Sequence, residues 1–276
     1  MRAAAIQLNS SGDVDRNLET AERLVAAAAA AGAELLVLPE KWPALAPGEV
    51  LRELAESLDG RIMSACRGWA REHGVVLVAG SFSERLDDGD LANTSALIGP
   101  DGEIVATYRK IHMFDVDVGG VSYRESEHER AGEEIVVADA GRHRLGLSVC
   151  YDLRFPELYR ILALRGATAA AVPAAFTAAT GRDHWEVLLR ARAIEDQLFV
   201  VAANQFGRAL PTFHSWGHSA IVDPWGRVLD VLADGEGHAI AELDLAEIER
   251  VRAQVPSLAS RRPGAYRWPV EVGDRG

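Results

Sequence analysis

"ALIGPDGEIV" (96–105) decides the fold, because "AIVDPWGRVL" (220–229) says the same thing again in the second half of the chain. The two share the pattern A-[LI]-[IV]-x-P-x-G-x-[IV]-[VL]. Each reads as two strands around a Pro-x-Gly turn, and part of the match is what any hairpin requires. The order of elements around each copy repeats as well. Before the first hairpin (94–110) come a strand "AAAIQLN" (3–9), a helix over 13–32 and a strand "ELLVLPE" (34–40). A helix over 61–73 stopped by Gly74 and a strand "VVLVAGSF" (75–82) follow. Leu18, Ala21, Leu24, Val25 and Ala28 fall on one face of the first helix, at the 3.6-residue period. Before the second hairpin (218–232) come a strand "RLGLSVC" (144–150), a helix opened by Pro156 and a strand "ATAAAVPAAF" (167–176). A helix "DHWEVLLRARAIEDQ" (183–197) and a strand "LFVVAANQF" (198–206) complete the set.

The repetition predicts two pseudo-symmetric α/β halves packed sheet on sheet with helices outside, an αββα sandwich. No Pro-, Gly- or Ser-rich linker divides them, so we expect a single domain over 1–270 and a C-terminal tail over 271–276. Between the halves, 111–132 shows no sustained period and reads as a functional loop without regular structure.

Composition limits the function. The chain has 276 residues, 48% hydrophobic and 25% charged, which fits a soluble globular protein with a sizeable core. A net charge of -12, with no basic face beyond Arg261 and Arg262, argues against nucleic acid and anionic membranes. Neither a signal peptide nor a membrane span is expected from the short apolar runs near the N-terminus. Two cysteines, Cys66 and Cys150, make no disulfide framework, so a reducing, cytoplasmic setting is expected. No metal-ligand spacing, P-loop or G-x-G-x-x-G is present, so neither metal nor cofactor is expected. Asp115-x-Asp117 lacks the rest of a calcium loop.

Ligands of α/β sheets gather beyond the carboxyl ends of strands. Glu40, Lys110 and Cys150 each stand at such an end. Cys66 lies inside a predicted helix and reads as core. Cys150 is followed by "YDLRFPEL", and a cation there, Arg154, would favour a thiolate. A thiol nucleophile needs a proton acceptor and a stabiliser of negative charge. His112, His184, His214 and His218 could serve, and so could a buried carboxylate. Spacing does not choose between Cys-His and Cys-Glu-Lys.

"LLVLPEKW", "YRKIHMFD" and "VCYDLRFPEL", in that order, resemble the nitrilase, or carbon–nitrogen hydrolase, superfamily. The likeness runs from Met1 through "RRPGAY". "RKIHMFDVDV", "RES" at 124–126, "AAFTAATGRDHWEVLLRARAIEDQ" and "WGHSAIVDPWG" are similar to its Nit branch of omega-amidases and deaminated-glutathione amidases. The resemblance implies a nitrilase-like sandwich, a Cys150 nucleophile, a Glu40 base and an assisting Lys110, with Glu125 orienting the lysine and the substrate. It also implies dimers or larger homo-oligomers. A Pro-Gly common in the family is Gly119-Gly120 here, which bears on the pocket lip.

The implied reaction is cleavage of a small carboxylated amide to carboxylate and ammonia through a Cys150 thioester. Lys110 and the Tyr151 backbone N–H would hold the oxyanion. Arg154 would grip the substrate carboxylate, with Phe176, Thr177, Thr180, Tyr123 and His112 lining the pocket. Deaminated glutathione and 2-oxoglutaramate are the expected substrates. Nitriles, N-carbamyl compounds, a role as inactive binding scaffold and Cys-His catalysis are the alternatives.

Overall fold

In the computed structural model, residues 1–210 and 213–266 are described; the expected tail, 271–276, lies outside them. The first half runs β1 (Arg2–Gln7), α1 (Val14–Ala30), β2 (Leu35–Val37), α2 (Gly48–Leu54), α3 (Arg61–His73), β3 (Val76–Val78), β4 (Phe82–Arg85), β5 (Leu91–Ile98) and β6 (Ile104–Arg109). A small hairpin, β7 (Asp115–Val118) and β8 (Val121–Arg124), leads to the second half. That half runs β9 (Val137–Ala140), β10 (His143–Leu147), α4 (Pro156–Leu164), β11 (Ala169–Ala174), α5 (Ala178–Asp196) and β12 (Phe199–Asn204). It continues with β13 (Phe206–Leu210), β14 (Phe213–Trp216), β15 (Ser219–Val222), β16 (Val228–Leu232), β17 (Gly237–Glu242) and α6 (Leu245–Gln254).

Two sheets carry the fold. One has the order β17-β1-β2-β3-β5-β4, with β6 also on β5, and the other has β16-β15-β12-β11-β10-β9. In each, three parallel strands are flanked by antiparallel ones: β1, β2 and β3 match β10, β11 and β12. The hairpins β5–β6 and β15–β16 correspond residue for residue. Their register slips at equivalent positions, between Leu97 and Ile98 and between Ile221 and Val222. Their turn glycines, Gly102 and Gly226, have φ 81° and 87°, the left-handed region that glycine alone enters freely. One member is out of chain order. β9 precedes β10, but its counterpart beside β1 is β17, from the far end of the chain.

Period-two alternation sorts each strand into layers. Ala3, Ala5, Val37 and Val78 face the opposite sheet, where Leu145, Leu147 and Ala171 meet them. Ala4, Ile6, Leu36 and Leu77 face outward under Leu24 and Val25 of α1 and Met63 and Trp69 of α3. Asp13 caps α1 by accepting from Arg16 N, and Gly74 closes α3 in the left-handed conformation. Cys66 is fully buried in that outer layer, and burial pushes its thiol far up, as expected for a core residue. Among the described residues no helix is long and apolar enough to cross a membrane.

The segment 111–132 is not the irregular loop expected from its sequence. Val116, Val118, Val121 and Tyr123 are half-buried while Asp115, Asp117, Ser122 and Arg124 are exposed, a two-residue alternation only four residues long per strand. Gly119 and Gly120, at φ 61° and 78°, form the two-residue turn that tight hairpins favour. A 3₁₀ turn over Glu125–Glu127 follows.

Candidate active site

Glu40 and Cys150 sit three residues past the ends of β2 and β10, and Lys110 directly follows β6. Cys150 therefore does not close its strand, as the apolar run suggested, but opens a 3₁₀ turn, Cys150–Arg154. Its φ is 48°, a left-handed conformation that a non-glycine residue holds at a cost of roughly 1–3 kcal/mol. Asp152, fully buried, holds this turn. Its Oδ2 accepts from Val149 N (2.8 Å) and the Tyr108 hydroxyl (2.7 Å), and its Oδ1 accepts from His112 N (3.1 Å). Pro156 then starts α4 at its first position.

Lys110 Nζ is buried between two carboxylates, 3.0 Å from Glu40 Oε1 and 2.7 Å from Glu125 Oε2. Glu40 Oε2 accepts from Ala175 N (2.9 Å), and Glu125 Oε2 accepts from Phe114 N (2.7 Å). Asn93 completes the cluster. Its Nδ2 donates to Glu40 Oε1 (2.9 Å) and Glu125 Oε1 (3.0 Å), which ties the two carboxylates together. Burial alone would lower Lys110, but the charges of Glu125, Glu40 and Cys150 outweigh it and hold the ammonium well above its ordinary range. Burial alone would raise Glu125, but Lys110 and Lys41 keep its carboxyl below the ordinary range. The Cys150 thiol is pushed well up, first by burial, then by the charge of Glu40 and the hydrogen bond to it; Lys110 pulls the other way. The resting cluster is thus a neutral thiol beside an ammonium flanked by carboxylates. Such a thiol reacts only when a base takes its proton, and Glu40 is the group it faces.

These residues open on a cavity of about 490 Å³ whose wall includes Tyr123, Tyr151, Arg154, Phe176, Thr177 and Thr180. Arg154 Nη2 donates to Thr180 Oγ1 (3.1 Å) and Nη1 to His184 Nδ1 (3.1 Å). The guanidinium carbon lies 4.8 Å from the centre of the Phe176 ring and 5.9 Å from that of Tyr151. No carboxylate pairs with it among the described residues, because Asp152 is engaged elsewhere and Glu157 makes no ion pair with it.

His112 is misplaced by the sequence reading. Its Nδ1 is 2.7 Å from Asp152 Oδ1 and its ring stacks on Phe155 at 3.6 Å, so it buttresses the nucleophile turn and lies off the cavity wall. His218 stacks on Trp216, and its Nδ1 is 3.0 Å from Trp216 O. Among the described residues, the groups acting on the Cys150 thiol are Glu40, Lys110 and the Ala175 backbone, and no histidine is one of them. Sequence reasoning also missed Asn93, the wall residues Phe114 and Phe213, and a buried pair of Lys41 and Glu129. The signal for Asn93 was a polar "NTS" triplet inside a fully buried strand.

The carbon–nitrogen hydrolase family model matches residues 2–253. The chain belongs to this family. As a carbon–nitrogen hydrolase it is an enzyme, and its relatives agree. A deaminated glutathione amidase from Synechocystis sp. (strain PCC 6803 / GT-S) is 42% identical over 264 residues, covering 94% of this chain and 97% of the relative. Omega-amidase NIT2 of Homo sapiens is 36% identical over 266 residues, covering 96% of each chain. The C. elegans NitFhit protein superposes with a TM-score of 0.91 at 37% identity. This chain covers 66% of that longer protein and is itself covered to 96%.

Proposed function

We propose that this hydrolase cleaves the C–N bond of a small carboxylated amide through an acyl-thioester on Cys150. Glu40 accepts the thiol proton as the sulfur attacks the amide carbon. Lys110 Nζ and the Tyr151 backbone N–H stabilise the oxyanion, each donor contributing roughly 3–4 kcal/mol. Protonated Glu40 returns the proton to the departing nitrogen as the C–N bond breaks. Water, losing a proton to Glu40, then attacks the thioester and releases the acid, and the proton returns to the thiolate. Glu125 and Asn93 fix Lys110 and Glu40 in place. The observation that carries this reading is the buried thiol facing a carboxylate that shares one ammonium with a second carboxylate.

Arg154 supports the carboxylated substrate, since a guanidinium with no carboxylate partner among the described residues is held in the cavity wall. Deaminated glutathione and 2-oxoglutaramate both satisfy it and both yield 2-oxoglutarate. The first leaves a dipeptide amine, so the ammonia expected from the sequence applies only to the second. A cavity of about 490 Å³ supports the larger compound. Side-by-side release of 2-oxoglutarate from the two decides between them, and C150A should abolish both. An active C150A would overturn the mechanism. Exposed Leu164, Val187 and Ile194 on α4 and α5 support a homo-oligomer, and two free cysteines support a cytoplasmic setting.

A further inference from the structure

Lys41 is a buried cation that this mechanism leaves without a task. It directly follows Glu40, and at φ 52° its backbone is in the left-handed region. Its own N–H donates to Ser81 Oγ (3.1 Å). Its Nζ donates to Ser83 Oγ (2.8 Å) and is paired with Glu129 Oε1. Ser83 Oγ in turn donates to that same oxygen (2.8 Å). Both side chains are almost wholly buried, 8% and 4% exposed, and both residues border the cavity. Glu129 is also tied to the other side of the site: its backbone N–H donates to the carbonyl of Glu125 (3.0 Å). One ion pair therefore spans from the residue after Glu40 to the turn that carries Glu125.

We propose that Lys41 and Glu129 are positioning residues, which set the separation of Glu40 and Glu125 and so the place of Lys110 Nζ between them. The pair touches neither the thiol nor the oxyanion, and it works through the two carboxylates. Lys110 has a single ammonium to share. If the turn bearing Glu125 drifts from the β2 end bearing Glu40, one of its contacts must lengthen. Charge points the same way. Lys41 is the second cation felt by Glu125, after Lys110, and it is paired with Glu129. A buried pair like this contributes little to stability, because desolvation cancels most of the attraction, so geometry is the function it serves best.

The inference rests on the Glu40–Lys110–Cys150 reading, and the experiment separates the two. E129Q keeps the shape and the hydrogen-bonding length of Glu129 while removing its charge. On the full-length enzyme kcat should fall at least ten-fold with KM within two-fold. The acidic limb of the kcat–pH profile should move to lower pH, because the uncompensated Lys41 favours ionised carboxylates. K41M/E129L removes both charges; it should melt at or above the wild-type temperature yet keep the low kcat. A merely structural pair predicts the opposite: wild-type kcat in the double variant. That result, or an E129Q indistinguishable from wild type, overturns the inference while C150A remains inactive. An active C150A overturns the underlying mechanism, and the inference with it.

Discussion

Replacing Arg154 with Met keeps an unbranched apolar side chain against Phe176 and deletes the guanidinium fork. In the free enzyme that fork donates to Thr180 and His184 and pairs with no carboxylate among the described residues, and burial holds its pKa below the ordinary arginine value. A substrate carboxylate would accept two charge-assisted hydrogen bonds, about 1.5–3 kcal/mol each. Allowing for the water it must displace, about 3–4 kcal/mol is at stake. At about 1.4 kcal/mol per factor of ten, kcat/KM for 2-oxoglutaramate should fall roughly 100- to 1,000-fold. Most of the loss should lie in KM, because the carboxylate is gripped equally before and during reaction. R154K, which keeps charge but loses the planar fork, should fall in between. The control is an amide of the same length with a neutral group in place of the carboxylate. Wild type and R154M should hydrolyse it within three-fold of each other. An equal fall on both amides would refute the reasoning and return Arg154 to a structural role.

Two further outcomes follow from groups placed by the structure. N93D replaces the donor shared by Glu40 and Glu125 with a third carboxylate, so one must take a proton; kcat should drop at least 100-fold, since two charge-assisted hydrogen bonds of about 1.5–3 kcal/mol each are lost. A substitution that left steady-state kcat unchanged would show that Asn93 is not what aligns the carboxylates. Asp196, buried at the end of α5, is pushed up from 3.8 to about 7, chiefly by burial. Arg160 Nε lies 3.2 Å from its Oδ1, but neither carboxylate oxygen has a hydrogen-bond partner among the described residues. The folded state then binds this proton more tightly than the unfolded chain. Stability is highest below the unfolded value and is lost as pH rises from about 4 through about 7. At 1.36 kcal/mol per pH unit the loss is bounded at roughly 4 kcal/mol. D196N should therefore melt higher than wild type at pH 8 and lose that advantage at pH 5. Parallel melting curves with a constant gap would contradict it.

Much of the architecture was legible because its signals are local. A Pro-x-Gly turn between β-branched runs names a hairpin wherever the hairpin packs, and Gly74 ends α3 by its own conformation. The elements that went unread depend on distant partners. β17 has no turn chemistry to announce that it pairs with β1. In β7–β8 four residues per strand are too few to establish a period against the aromatic and acidic residues around them. The same division holds in the site. Glu40, Lys110 and Cys150 stand near strand ends, and the family resemblance picked them out together. Asn93 and the Lys41–Glu129 pair act across the sheet, through side-chain direction, which one chain read in order does not reveal. Arg154 borders the cavity, and what keeps Asp152 from it, the backbone N–H of Val149 and His112 and the Tyr108 hydroxyl, is equally a matter of side-chain direction.

The position of β17 bears on how the protein is made. β1 leaves the ribosome long before its antiparallel neighbour, Gly237–Glu242. The second sheet needs only residues Val137–Leu232 and can close while its elements are still local. The first sheet must instead hold an open edge through nearly the whole of synthesis, the state in which strands recruit wrong partners. Its closure waits for β17, which must find β1 beside an already completed second sheet.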